Sequence, residues 1–396
     1  MTDCAKCGAC TAVCPVYGVT GRESLTARGK MHLLERLPRQ NYSTAYAKIL
    51  SECLLCGACE DICPRGLHLL DRIATARHNL PLLVGKHPFL TRLAETTLST
   101  PSLLATVSDL KTVIGQLLPK ESGLRIRLGL SHQAFLPQPA HKELQTETSQ
   151  KPVVAYFSGC LARYPQPEIT HATEKLLANS TGSGFDFPTT QVCCGQAAYS
   201  SGNHKDAIEL AKRNITAFAD STLPILTSCA SCYHHLASYP ELLRNDQEWV
   251  ERAHAFAGRL REFSSFFADS PPARKLQPPT TNSLQNVLYH DPCHLRFRHR
   301  ITKPPRRLLK EAGFSLLELL NGPQCCGMGG LFHLAHPELA EKIGSRMVDT
   351  MEPLHPDLVT TTCSGCLLQL RSLLHTRDQT TPVLHLAVLL AGQLKT

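Results

Sequence analysis

No apolar run in these 396 residues reaches the length of a membrane span, for which a helix needs about 20 apolar positions. The longest near-apolar stretch, Val383–Ala391, is interrupted by His385. No secretory leader precedes Cys4, so the chain reads as cytoplasmic and its cysteines are not expected to pair as disulfides. No G-x-G-x-x-G follows a strand-like run, which removes the simplest dinucleotide pocket; Gly327-Met-Gly329-Gly330 belongs to a cysteine loop. Nucleic-acid-binding motifs are also missing. The densest basic stretches, Arg296-Phe-Arg298-His-Arg300 and Arg306-Arg307, read either as a solvated helix end or as a docking face for an acidic partner. With 42% hydrophobic and 19% charged residues the chain is otherwise an ordinary globular one, long enough for two or three domains.

What it has in excess is cysteine, eighteen in all. Cys4, Cys7, Cys10 and Cys14 precede Pro15 with the spacing C-x2-C-x2-C-x3-C-P, and Cys53, Cys56, Cys59 and Cys63 before Pro64 repeat it. Three thiolates two residues apart wrap one face of a [4Fe–4S] cube, and the fourth crosses to the other cluster when two such runs pair. One cluster is therefore expected on Cys4, Cys7, Cys10 and Cys63, the other on Cys53, Cys56, Cys59 and Cys14. The alternative of two four-cysteine zinc sites fits less well, because zinc sites usually separate two C-x2-C pairs. Two oxidised clusters with their thiolates remove roughly four units from the formal charge of +8. Between the runs, Leu33, Leu34 and Leu37 share one helical face before Pro38.

Residues 76–150 hold no cysteine. The span Leu80–Leu118 reads as two or three short helices punctuated by Pro81, Pro88 and Pro101, and the polar span Gly129–Gln150 reads as a linker. Leu90, Leu93 and Leu98, then Leu110, Val113, Ile114 and Leu117, form apolar stripes that pack on the chain's own domains or offer a peripheral membrane surface.

From residue 151 onward the chain repeats. Cys160, Cys193-Cys194-Gly195 and Cys229-x-x-Cys232 are matched by Cys293, Cys325-Cys326-Gly327 and Cys363-x-x-Cys366 at offsets of 133, 132 and 134 residues. With the eight cysteines of the two runs, these ten account for every cysteine in the chain. Strands are expected at 153–157, 185–187 and 223–226, and at 287–290, 316–319 and 358–361, with helices over Leu176–Leu177 and Lys205–Phe218. Alternating strands and helices give a parallel sheet whose ligands gather at the carboxyl ends of the strands, and all ten cysteines follow a predicted strand. Five thiolates exceed what one zinc or one ordinary cube requires. Either the cluster is not an ordinary cube, one cysteine is a spare or redox-active ligand, or the site is a structural zinc with a surplus thiol. His234, His235, His290 and His294 flank these cysteines as ligands, proton carriers or, more commonly, hydrogen-bond partners of the loops. Asp291-Pro292 shapes the turn before Cys293.

This pattern resembles the cysteine-rich CCG domain found twice in heterodisulfide reductase subunits, lactate-utilisation proteins and glycolate oxidase iron–sulfur subunits. Gly159-Cys160-Leu161, the stretch from Cys193 to Gly202 and Ala211-Lys-Arg-Asn214 are similar to the first domain of the last two groups. His290-Asp291-Pro292-Cys293-His294-Leu295, Cys325-Cys326-Gly327-Met-Gly329-Gly330 and Gly365-Cys366-Leu367-Leu-Gln369-Leu are similar to the second. Arg28-Gly29-Lys30 resembles the glycolate oxidase group. The fold so implied is α/β, with a small α+β ferredoxin-like module at 1–75, a helical connector and linker at 76–150, and parallel-sheet CCG domains at 151–275 and 276–396. The resemblance implies a further iron–sulfur cluster, ordinary or of the non-cubane form, on each five-cysteine set. It also implies the electron-transfer subunit of a glycolate/D-lactate dehydrogenase complex, inactive alone on the hydroxy acid. Its partners would be a flavin-binding 2-hydroxy acid dehydrogenase subunit and a quinone or other carrier, at the inner face of the cytoplasmic membrane. The rival readings are a heterodisulfide reductase-like subunit with a catalytic CCG cluster, the membrane-linking subunit of an anaerobic glycerol-3-phosphate dehydrogenase, and a zinc-dependent scaffold.

Overall fold

The computed structural model describes residues 4–36, 43–80, 88–99, 151–181, 184–269, 285–320, 322 and 324–394. The helices expected over 100–118 and the linker at 129–150 lie outside the described residues.

Each repeat half is built on a four-stranded parallel sheet. In the first half the strands are β1 (Val154–Phe157), β2 (Phe185–Asp186), β3 (Ile225–Thr227) and β4 (Leu260–Glu262), in the spatial order β2-β1-β3-β4. The second half has β5 (Asn286–Tyr289), β6 (Ser315–Leu317), β7 (Leu358–Thr361) and β8 (Val383–His385), in the order β6-β5-β7-β8. Every residue of β1, β3 and β7 is buried, as expected for strands covered on both faces. The two topologies reverse direction between β1 and β3 and between β5 and β7, and such a switch point opens a crevice at the strands' carboxyl ends.

The halves are related by an approximate two-fold relation and share one core. The helix Pro167–Thr181 of the first half packs on Leu386–Gly392, the last helix of the second. Reciprocally, Phe263–Asp269, the last helix of the first half, packs on Lys303–Glu311. Equivalent buried tyrosines make equivalent hydrogen bonds: Tyr156 Oη to Ser228 Oγ at 2.8 Å and Tyr289 Oη to Thr362 Oγ1 at 3.0 Å. Side chains from both halves enter the same buried apolar clusters.

The N-terminal module lies against both halves. Its regular elements among residues 4–80 are helices, with no strand among the described residues. The expected inter-run helix is Ala27–Arg36, which buries Ala27, Lys30 and Met31 while Leu33 and Leu34 are half-buried. Leu69–His78 extends past residue 75 and closes the module's core through Leu69, Leu70, Ile73 and Ala74. The helix Pro15–Thr20 packs on Pro337–Met351, and Val16, Leu25 and Leu54 share an apolar cluster with Phe332, Ala340 and Ile343. Within the connector, the helix Pro88–Ser99 packs on Gln196–Ser201 and Phe332–Ala335, while Leu93 of the expected apolar stripe is exposed. Its Glu95 accepts hydrogen bonds from Ser201 Oγ (3.1 Å) and Asn203 Nδ2 (2.5 Å). No helix among the described residues is long and apolar enough to cross a membrane.

Candidate metal centres

The two cysteine runs curl in the same way. Lys6 and Leu55, the residues before Cys7 and Cys56, have φ of 55° and 53°, and the following Gly8 and Gly57 have φ of 85° and 89°. The left-handed residues thus alternate with a cysteine of negative φ, and such alternation turns successive backbone N–H groups into a concave nest suited to negative charge. At Gly57 the conformation serves a second purpose, because a Cβ there would collide with Arg298 and crowd Phe297. Cys4, Cys7, Cys10 and Cys63 line one cavity, with Cys59 at its inner wall. Cys59 interacts electrostatically with Cys56, Cys53 and Cys14, and Cys14 with Cys53. Cys63 thus lies with the cysteines of the first run, and Cys14 beside Cys53 and Cys59 of the second.

In the first half, Cys160 follows β1, Cys229 follows β3, and Cys193-Cys194 occupy the irregular loop after β2. Cys160 Sγ lies 3.5 Å from Cys193 Sγ, and thiol contacts continue from Cys193 to Cys194, to Cys232 and to Cys229. The loop is fastened by Asn214, which is fully buried. Its Oδ1 accepts from Val192 N (2.9 Å) and its Nδ2 donates to Cys193 O (3.0 Å) and Tyr239 Oη (3.1 Å), while Tyr239 Oη donates to Cys194 O (2.8 Å). Gln191 ties the loop to β1, accepting from Ser158 N at 2.9 Å and donating to Tyr156 O at 3.1 Å.

The second half repeats the chain of thiols: Cys325 to Cys326, Cys326 to Cys366 and Cys366 to Cys363, with Cys293 near Cys326 and Cys363. The ligand atoms of His290, Cys326 and Cys366 lie within 4.8 Å of one another. Burial pushes the His290 imidazole toward its neutral form, but the neighbouring Cys326, Asp291 and Cys363 outweigh it and hold its pKa above the ordinary value. His294 Nδ1 contacts Ser231 Oγ (3.1 Å), which lies 3.3 Å from Cys363 Sγ. His234 stacks on His294 and bonds His299, and His235 packs between Tyr199 and Tyr239. Of the four flanking histidines, only His290 shares a candidate metal group among the described residues.

The donor sets fit iron–sulfur clusters. Thiols donating to Cys193, Cys326 and Cys363 pull these three well below the ordinary thiol value, whereas neighbouring Cys160, Cys194, Cys325 and Cys366 are held up, first by sharing protons with those thiolates. Burial also opposes ionisation at Cys56, Cys59 and Cys293. Such buried sets cannot carry several thiolates unless a cationic centre compensates them.

The four sets form a series. Cys56 interacts with Cys293 and Cys325, and shares an apolar cluster with them and Cys14. Cys363 in turn interacts with Cys229 of the first half. The order in space is therefore the Cys4 set, the Cys53 set, the second-half set and the first-half set, which differs from the order in sequence. Cys7, exposed, marks one end. The basic run is spent inside this assembly: Arg298 pairs with Glu60, Arg300 with Asp61 (3.6 Å), Arg296 with Asp291 (3.8 Å), and Arg306 bridges Asp291 (2.7 Å) and Glu318 (2.5 Å). Arg298 and Arg300 thus find their acidic partners in the chain's own second cysteine run. Beside His290, a cavity of about 340 Å³ opens between Arg296, Lys303, Arg306 and Leu319.

The family described as a cysteine-rich (CCG) domain matches residues 154–237 and 287–371, and the 4Fe-4S dicluster domain family matches residues 1–67. A probable glycolate oxidase iron-sulfur subunit of Bacillus subtilis is 30% identical across 94% of this chain and 88% of its own length. Lactate utilization protein A of Shouchella clausii is 32% identical over 60% of this chain and 98% of its own length, and that of a Geobacillus species is 31% identical with the same coverage. A crystal structure of a hypothetical protein from Helicobacter pylori superposes with a TM-score of 0.58 at 11% identity, covering 96% of this chain and 71% of that one, a likeness of fold.

Proposed function

Because the chain belongs to the glycolate oxidase iron–sulfur subunit family, we propose that it carries electrons from a flavin-binding 2-hydroxy acid dehydrogenase subunit to a quinone or another acceptor. In this reading Cys4, Cys7, Cys10 and Cys63 hold one [4Fe–4S] cluster, and Cys53, Cys56, Cys59 and Cys14 hold a second. Cys160, Cys193, Cys194, Cys229 and Cys232 hold a third, and Cys293, Cys325, Cys326, Cys363 and Cys366 a fourth. When bound, such clusters supply one-electron acceptor sites whose potentials depend on burial, net charge and hydrogen bonds to sulfur. The chain's own part is to hold the donor sets in contact, exclude water from the inner ones and fix their loops through Asn214, Gln191 and the Arg298–Glu60 pair.

The observation that carries this reading is the unbroken series of cysteine sets, joined by Cys56 beside Cys293 and by Cys363 beside Cys229. A scaffold or a single catalytic centre has no need of four contiguous sets. The 2-hydroxy acid as substrate rests on the printed names of the relatives, one a glycolate oxidase subunit and the others lactate-utilisation proteins. The chain would then work in the cytoplasm, at the inner face of the membrane where the acceptor is a quinone.

The test is anaerobic isolation of the chain with whatever flavoprotein accompanies it. About sixteen irons per chain are expected if all four sets hold four-iron clusters. Glycolate or D-lactate should bleach the iron–sulfur absorption in the complex but not in the isolated chain. Four or fewer irons, or no bleaching by either acid while dithionite still bleaches, would overturn the proposal.

A further inference from the structure

The tripeptide Arg28-Gly29-Lys30 sends its two cations to different cysteine sets. Arg28 Nη1 donates to Lys6 O at 3.1 Å, and Arg28 Nη2 pairs with Glu23 at 2.7 Å on a partly exposed surface beside Cys10. Gly29 packs against the backbone of Glu23 and Ser24 so closely that a Cβ would not fit. That contact turns Lys30 inward, where it has no exposure at all. Its Nζ donates to Leu25 O and, at 3.3 Å, to Glu52 O, and its charge interacts with Cys53 and Cys14.

A buried ammonium normally sits beside a carboxylate, because the unpaired charge is costly. Among the described residues Lys30 has no ion pair; its hydrogen bonds go to carbonyl oxygens, one of them that of Glu52 next to Cys53, and its charge acts on Cys53, Cys14 and the Glu52 carboxylate. The other buried cation nearby, Arg77, likewise donates to carbonyls, those of Leu50, Ser51, Cys53 and Ser200. The first set has a cation too, but Arg28 is half neutralised by Glu23 and open to solvent.

The geometry points to Lys30 as a positioning residue that sets the reduction potential of the cluster on Cys14, Cys53, Cys56 and Cys59. This rests on the reading that those four cysteines hold a cluster. A one-electron reduction adds one negative charge to the cluster. Burial penalises that added charge, and Cys56 is buried whereas Cys7 is exposed, so desolvation alone would make the inner cluster the harder of the two to reduce. The Lys30 ammonium acts in the opposite direction, stabilising the reduced form where water cannot. It removes the step that burial would otherwise place between the outer cluster and the second-half site.

The experiment is an EPR-monitored redox titration of the full chain, reconstituted anaerobically with iron and sulfide and matched for iron content. The relevant signal is identified by its loss in Cys56→Ser. In Lys30→Met that signal should become at least tenfold harder to reduce, a fall of 59 mV for one electron, with the outer cluster unmoved. Lys30→Arg, which keeps the charge, should stay within threefold of the parent. Lys30→Gln, which removes the charge but keeps a donor for the carbonyls of Leu25 and Glu52, should move the same signal downward as well, so it decides the matter where Lys30→Met fails to hold iron. Full iron content with that signal within threefold of the parent in Lys30→Met or in Lys30→Gln overturns the inference alone. Absence of any signal lost in Cys56→Ser overturns the cluster assignment beneath it.

Discussion

The thiols of Cys229 and Cys363, each the first cysteine of a Cys-x-x-Cys turn, face one another across the boundary between the repeat halves. The contact is braced by Ala230 N donating to Thr362 O at 2.9 Å and by Ser231 Oγ at 3.3 Å from Cys363 Sγ. Each turn follows the strand at its sheet's switch point, β3 in one half and β7 in the other. The approximate two-fold relation therefore brings the two five-cysteine sites together rather than to opposite ends of the molecule. A change at one site has a direct route to the other.

Cys363→Ser is accordingly expected to alter both sites. The serine preserves shape but removes a ligand and the thiol facing Cys229. Mössbauer and EPR spectra should show loss or conversion of the second-half cluster together with a shifted first-half signal. Cys160→Ser, at the far rim of the first-half site, should cost about four irons and leave the second-half spectrum unchanged. Equal effects of the two substitutions would contradict the shared boundary.

Asn214→Ala should release the Cys193-Cys194 loop. It strands Val192 N and Cys193 O inside the protein and removes the bond that Tyr239 Oη accepts, leaving that hydroxyl its bond to Cys194 O. An unsatisfied buried group costs about 1–3 kcal/mol, so a loss of about 2–4 kcal/mol in urea unfolding is expected, with first-half iron lost before second-half iron. Tyr239→Phe removes only the bonds to Cys194 O and Asn214 and should cost about half as much.

Much of this architecture is local in origin and so was legible in the residues alone. Strand runs such as Leu358–Thr361 precede their cysteines directly, and the offsets of the repeat locate both sites without any tertiary knowledge. The third strand of the first half begins two residues later than expected, at Ile225, because Pro224 cannot donate to the ladder and instead offers its carbonyl to Ala155 N. The fourth strands were not legible. Leu260-Arg-Glu262 has a charge at its centre, and Val383-Leu-His385 is only three residues long before a helix takes over. The residues that hold the cysteine loops were missed because their partners are distant in sequence: Asn214 serves Cys193, Arg77 reaches Ser200, and Arg298 reaches Glu60. One signal was available. Lys30 falls at helical spacing between Ala27 and Leu34, on the stripe that Met31 buries, so a lysine there was out of place for a solvated surface.

Glu174 gives the fold a pH dependence. It is buried on the helix Pro167–Thr181 with 7% exposure, and burial raises its pKa from 4.5 to about 7. Between these values the unfolded chain has released its proton while the folded chain keeps it, so stability falls as pH rises from 4.5 and levels off above pH 7. The full contribution is about 3 kcal/mol at most. Glu174→Gln should stabilise the protein at pH 8, leave it nearly unchanged at pH 4.5, and flatten the thermal midpoint between them. A parallel pH profile in the variant would contradict the assignment.

The pair Arg298–Glu60 fastens the N-terminal module to the second half, with Arg298 lying over Gly57. Both side chains are largely buried, 21% and 11% exposed, so the coupling should exceed that of a surface pair. A double-mutant cycle over Arg298→Ala and Glu60→Ala is expected to return about 1–3 kcal/mol. A coupling near zero would shift the attachment onto the apolar contacts of Val16, Leu54 and Phe332 and onto polar contacts such as Arg77 with Ser200.

Cys53→Ser tests the order of the series. Cys53 belongs to the inner set of the module, between the outer set around Cys7 and the second-half set around Cys293. If electrons enter from the flavoprotein at the outer end, the substitution should leave dye-linked oxidation of the hydroxy acid by that partner largely intact. Reduction of the quinone or other physiological acceptor should fall by at least tenfold. The outer cluster should still be reduced by substrate, while the two five-cysteine sites should remain oxidised on the same timescale. Entry from the opposite end predicts the reverse distribution, with both five-cysteine sites reduced and the outer cluster left oxidised. Equal loss of dye-linked and physiological activity would instead mark a folding defect, which is separable because Cys53 O also accepts from Arg77 and that backbone contact survives replacement of the thiol. A normal rate to the acceptor would show that electrons bypass the inner set, and the contact of Cys56 with Cys293 and Cys325 would then have no part in the path.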